Sequence, residues 1–185
     1  PFAAVGLYEV SRRIEADEPL DWKQVLSVVV AQKDRRVPSM AMVVLLMFMV
    51  WVFVAHTTFA LFMGASSLTN VSSSPEILFQ GRGLMMLLVG TLIGAGFASV
   101  LFSITVVGLP LILDREVDLI SAIIASFQAV AANPGVMLVW AGVIAGMLFI
   151  GILPMFLGLF IVLPVLGHAS WHMYRLLMPD DNLPQ

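Results

Sequence analysis

His168 and His172 lie four residues apart in Gly167-His168-Ala169-Ser170-Trp171-His172-Met173-Tyr174-Arg175. On a helix that spacing puts both imidazoles on one face, where two histidines can hold a metal or cofactor. The zinc-protease pattern adds a Glu beside the first His, and here that place is Ala169. No carboxylate follows Asp118 before Asp180. The residues therefore predict no metal site and no cofactor. Trp171, His172, Tyr174 and Arg175 read better as an aromatic and basic belt at the cytoplasmic interface of a membrane. His56 falls in a separate apolar stretch. It is expected to hydrogen-bond a neighbouring helix through Thr57, Thr58 or a backbone carbonyl.

Asp114, Arg115, Glu116 and Asp118 form the densest charge cluster of the apolar part. Functionally, Arg115 would hold a lipid headgroup, or the acids would contact a partner. Structurally, Asp114 would cap the following helix while Arg115 pairs locally, and this reading is preferred. Ser66, Ser67, Ser72, Ser73 and Ser74 have no His or Lys predicted beside them, and a nucleophilic serine needs a base. Ser74-Pro75-Glu76 reads as a helix start. No acid–base set emerges, so no catalytic residue is predicted and an enzyme is not expected.

The elements carrying these residues follow from composition. Of 185 residues, 60% are hydrophobic and 11% charged, and the mean hydropathy is +1.00. Soluble domains carry about 25% charged residues. A net charge of -3 with nine Lys and Arg argues against nucleic acid, and the lack of cysteine excludes thiolate chemistry. An integral membrane protein remains. Residues 37–75, 83–113 and 119–174 contain no Asp, Glu, Lys or Arg. Spans of roughly 20 residues fit about 40–63, 84–107, 134–152 and 155–174. Gly151 and Pro154 divide the last window, and Asn133-Pro134 starts its first helix. An interfacial amphipathic helix is expected at about 114–132, with Ile120, Ile123, Ile124 and Phe127 on its apolar side. A buried connector is the alternative. The fold class is all-α, a polytopic transmembrane bundle with a tail at 179–185.

Residues 1–38 form a segment at the cytoplasmic face. Asp21-Trp22-Lys23-Gln24 resembles a capping box. Trp22, Val25, Leu26, Val29 and Val30 then make an apolar stripe on the membrane face or on the bundle. Pro1–Val10 is expected to be the inner end of a further span. Arg12, Arg13, Lys23, Lys33, Arg35, Arg36, Arg115 and Arg175 fall on one side and Arg82 on the other, which makes the first side cytoplasmic. Loop 64–82, with the sequon Asn70-Val71-Ser72, then faces the periplasm.

Gly90, Gly94 and Ala98 form a small-residue face, as do Gly142 and Gly146. Such faces permit close helix packing, within the bundle or against a partner.

Gly6-Leu7-Tyr8-Glu9-Val10-Ser11-Arg12-Arg13, Leu109-Pro110-Leu111-Ile112-Leu113-Asp114-Arg115 and Gly167–Arg175, with Ala132-Asn133-Pro134 between them, resemble a family of bacterial predicted integral membrane proteins of unknown function. The resemblance covers nearly the whole chain. It implies about six spans in the full-length protein, four of them here. Some members carry a label resembling cytochrome c oxidase subunit I. Two haems and a copper need about six histidines, and this chain has three. The expectation is an inner-membrane accessory, scaffold or assembly subunit in contact with lipid and with partner subunits or copies of itself. Arg12, Arg13, Asp114, Arg115, Trp171, His172, Tyr174 and Arg175 would make the lipid or partner contact. The alternative is a transporter or channel for a small or lipidic solute. Pro110, Pro154 and Pro164 favour it, and the uncharged spans disfavour ion coupling.

Overall fold

A computed structural model describes residues 2–31, 37–64, 79, 81–115 and 117–178. Among the described residues there are helices and no strands. They are α1 (Phe2–Glu15), α2 (Trp22–Ala31), α3 (Val37–Met63), α4 (Gly81–Thr105), α5 (Gly108–Arg115), α6 (Leu119–Ala132), α7 (Pro134–Ile152) and α8 (Leu159–Leu177). Lys33–Arg36, the sequon, Ser66–Ser74 and Glu116 lie outside the described residues.

By length and composition, Val37–Met63, Gly81–Arg115 and Pro134–Ile152 can cross a membrane. The expected fourth span, 155–174, is displaced to Leu159–Leu177 and is not among them. Its first half is apolar, but from His168 onward it carries His, Ser, Trp, Tyr and Arg.

The chain divides into two compact units, residues 1–41 with 102–185 and residues 42–101. The second unit holds most of α3 and α4. Here polar side chains turn back on their own helix. His56 Nδ1 bonds Val52 O at 2.8 Å, Thr57 and Thr58 donate to Phe53 O and Val54 O, and Ser99 donates to Ala95 O. His56 thus reaches its own helix rather than a neighbour, because the carbonyl four residues back is the nearest acceptor.

In the first unit, Pro110 separates α4 from α5. It lacks an N–H for Val106 O, and its ring would clash there if the helix continued. Val107 N, freed by the break, donates to Ser126 Oγ of α6 at 3.2 Å. Gly108 is needed beside it, because a Cβ would lie 3.2 Å from Ala122 O and 3.3 Å from Met40 Cε.

The expected single helix at 114–132 is therefore two elements. Asp118, not Asp114, caps α6, its carboxylate accepting from Ser121 N at 3.0 Å. α6 buries its small residues Ala122, Ser126 and Ala129 and exposes Ile120, Ile124 and Phe127. Close approach selects the small face, which leaves the large apolar side chains outward.

Asn133 occupies the cap position of α7 without capping it, and its Nδ2 donates back to Ala129 O at 3.2 Å. α7 and α8 then form a tight hairpin. A Cβ on Gly158 would lie 2.8 Å from Gly151 Cα, so neither helix could approach the other with a larger residue there. The α2 stripe is also divided. Val25 is buried, while Trp22, Leu26 and Val30 are exposed. Asp21 caps through Lys23 N at 2.9 Å. The other arm of the capping box is absent because Gln24 is drawn to Arg13.

The glycines that matter for packing differ from the sequence rows. A Cβ on Gly90, Gly142 or Gly146 would meet nothing within 4 Å, and one on Gly94 would meet Trp51 Nε1 at 3.6 Å. Ala98 is exposed. A Cβ on Gly167 would lie 2.6 Å from Leu7 Cδ1 and 3.0 Å from Leu7 Cβ. Gly167→Ala is expected to destabilise the protein by about 1–3 kcal/mol through overpacking. Gly142→Ala should leave it unchanged or slightly more stable. Thermal unfolding in detergent reads both, and equal midpoints would contradict the α1–α8 contact.

Candidate functional site

The richest polar constellation gathers α1, α5 and α8. Leu7, Ser11 and Glu15 recur every four residues and so share one face of α1. That face lies along Gly167, His168, Trp171 and Arg175 of α8. The missing side chain at Gly167 admits Leu7. Ser11 donates to Leu7 O at 2.9 Å and is bonded to His168 Nδ1. The hydroxyl carries one proton, so Ser11 either donates to Leu7 O and accepts from Nδ1–H or turns that proton to a bare Nδ1. Ser11 is also only 2% exposed.

Glu9 sits one turn away, its side chain 3% exposed. It accepts two bonds from Arg12, each 2.9 Å, and one from Arg13 Nε at 2.7 Å. Arg13 then reaches Gln24 Oε1 at 2.8 Å and Pro19 O at 3.3 Å, which ties α2 to α1. A buried carboxylate needs this pairing, since an uncompensated charge costs several kcal/mol. Arg12 is half-buried and also meets Glu18 at 3.5 Å.

α5 delivers Asp114. Tyr174 Oη donates to its Oδ2 at 2.7 Å, Arg115 Nε lies at 3.4 Å and Arg175 Nη1 at 3.9 Å. Trp171 and Tyr174 are fully buried. Trp171 lies between Tyr8 and Tyr174, with ring centroids 6.1 and 5.6 Å away. Its indole donates to Glu15 Oε2 at 2.9 Å, and Arg175 Nε donates to Glu15 Oε1 at 3.2 Å.

Of the residues expected at the cytoplasmic interface, Asp114 meets Arg115, Tyr174 and Arg175, Trp171 packs on Tyr174, and Arg12 and Arg13 bind Glu9. His172 stays exposed on α8. Trp171 and Tyr174 depart from the expected belt, because their polar tips find carboxylates on α1 and α5 and draw the rings inward. Glu9, Ser11, Glu15 and Gly167 were missed as contacts. The four-residue rhythm of Leu7, Ser11 and Glu15 was the available signal. Among the described residues, no group of three or more His, Cys, Asp or Glu is placed to hold a metal.

Glu15 is held below its ordinary carboxyl range, first by the Trp171 hydrogen bond; burial opposes this, and the bond and charge of Arg175 add to the lowering. A depressed folded pKa stabilises above the unfolded value, near 4.3. That contribution is lost as pH falls through the folded value. Acid titration should therefore release the Trp171 indole below about pH 4, visible in indole fluorescence. Glu15→Gln should abolish that transition, and its persistence would refute the assignment. Glu9→Gln should cost about 3 kcal/mol in detergent unfolding by stranding Arg13. An unchanged midpoint would show that Gln24 and Pro19 suffice.

A search of the curated proteins and of the solved structures finds no match. A family model matches residues 1–114. The match covers α1 to α4 and α5 as far as Asp114, and includes Arg12 and Arg13, while the Asn133-Pro134 and Gly167–Arg175 motifs lie beyond it. By that match, which spans more than half of its length, the chain belongs to the family of predicted integral membrane proteins termed DUF2189.

Proposed function

We propose that the protein is a non-enzymatic accessory, scaffold or assembly subunit of a bacterial inner-membrane complex, a respiratory complex being one such setting. The observation that carries this reading is the outward surface of its spanning helices. Only 11% of the apolar window of α3, and 11% of that of α7, is buried within the chain, against 44% for Gly81–Arg115. Such surfaces leave room for lipid and for a partner's helices. Meanwhile Glu9, Glu15 and Asp114, the carboxylates of the polar constellation, are engaged by arginines and by ring N–H or O–H groups. These contacts supply rigidity.

Purification of the full chain in mild detergent should yield a stoichiometric membrane complex that dissociates when α7 carries paired charges, as in Val139→Lys with Val143→Lys. Repeated isolation of the lone protein at native expression would overturn the reading.

The transporter or channel alternative has one feature in its favour. A cavity of about 370 Å³ opens between α3 and α4, lined by residues including Trp51, Thr58, Phe59, Gly90, Thr91 and Gly94. Its apolar wall suits a lipidic solute rather than an ion. Flux across liposomes holding the protein, abolished by Gly94→Leu, would favour this alternative. No movement above protein-free liposomes would remove it.

A further inference from the structure

The cavity between α3 and α4 has polar groups set in its apolar wall. Trp51, Thr58, Met86, Gly90, Thr91 and Gly94 are among the residues that line it. The two glycines keep it open. A Cβ on Gly90 would meet nothing within 4 Å, and one on Gly94 would meet Trp51 Nε1 at 3.6 Å. The indole nitrogen therefore stands beside the space that Gly94 leaves free. Met86, on the same wall, is buried.

The polar side chains of these two helices divide into two sets. His56, Thr57, Thr58 and Ser99 each bond a carbonyl four residues back on their own helix. Trp51 Nε1 and Thr91 Oγ1 make no hydrogen bond among the described residues. Both belong to the cavity wall. A helical threonine can return to the carbonyl behind it, and Thr91 does not. Trp140 Nε1 also has no partner, but it is enclosed by the chain, whereas Trp51 and Thr91 open on a space large enough for a ligand.

The position of the two groups on their helices removes the ordinary partners. Trp51 stands about 20 Å from either end of α3, and Thr91 about 15 Å from the nearer end of α4. Tryptophans of spanning helices collect at the two interfaces, level with the headgroups. One at mid-helix has no headgroup in reach. Acyl chains supply no acceptor, and an unmet N–H in hydrocarbon is costly. Residues 37–75 and 83–113 contain no Asp, Glu, Lys or Arg, so a charged occupant would find no counter-charge. What complements the cavity is neutral, mostly apolar and equipped with an oxygen acceptor.

The geometry points to a ligand site: the α3–α4 cavity holds a neutral lipophilic molecule whose carbonyl oxygen accepts from Trp51 Nε1, with the Thr91 hydroxyl as a second donor. The inference is separate from both readings above, since it requires neither a partner subunit nor movement of the ligand across the membrane.

A decyl-substituted benzophenone is a suitable probe, because its ketone is both the hydrogen-bond acceptor and the photoreactive group. The full chain in phosphatidylcholine liposomes is irradiated with the probe, and labelled residues are mapped by mass spectrometry. Label should concentrate on Met86. Decyl phenyl ketone should suppress it at about tenfold lower concentration than undecylbenzene, which has the same shape without the oxygen. Trp51→Phe combined with Thr91→Val removes both donors at nearly constant volume and should lower Met86 labelling about tenfold. Gly94→Leu should abolish it by filling the space. Label spread evenly over outward residues of α3 such as Phe53 and Leu61 would overturn the proposal. So would equal suppression by the two competitors, or undiminished labelling in the double variant. The competitor pair is read on the unaltered chain, so it decides the matter even where a substitution perturbs the fold.

Discussion

Polar groups carried on apolar helices must be satisfied by the chain itself, because hydrocarbon offers no hydrogen bonds. That constraint organises the molecule. In the α3–α4 unit it is met locally, with Thr57, Thr58, Ser99 and His56 returning to carbonyls four residues back. In the other unit it is also met between helices, where Ser126 of α6 takes the amide freed at Val107, Arg13 of α1 reaches Gln24 of α2, and Glu15 of α1 takes the Trp171 indole of α8. Trp140 Nε1 is the exception among the described residues, buried without a partner.

The same constraint separates the two kinds of packing. Where helices approach closely, the contact is made by a missing side chain, at Gly108, Gly151, Gly158 and Gly167. Where they do not, large apolar side chains face outward, as on α6 and over most of α3 and α7. Lipid gives no hydrophobic reward for covering those side chains with protein, so small residues and polar pairs do the associating. The polar constellation of α1, α5 and α8 is the concentrated form of this rule, with Glu15 and Asp114 accepting from Trp171 and Tyr174 of α8.

Much of this was legible in advance. Membrane class follows from the uncharged windows. The α7 boundaries follow from Asn133-Pro134 and Gly151. Other expectations failed for identifiable reasons. Periodicity chose the glycine rows at Gly90 and Gly94 and at Gly142 and Gly146 and does not tell a contact within the chain from one with a partner; of these four, Gly94 alone has a neighbour among the described residues, Trp51. Asp114 was expected to cap a helix, but Tyr174 stands sixty positions away in sequence and only 2.7 Å away in space. Gln24 was assigned to its own helix end and is taken by Arg13.

The sequence by itself determined the solvent of this protein, its helical class and the places where helices must break. These depend on local quantities, namely side-chain hydropathy, the missing N–H of proline and the charge of short segments. Only the tertiary structure decided which polar groups are spent on one another. It also decided which glycines admit a neighbour, and that the turn between α7 and α8 presents Leu153, Met155, Phe156 and Leu157 outward. Those outcomes depend on distances between residues far apart in the chain, and no spacing pattern within one helix encodes them.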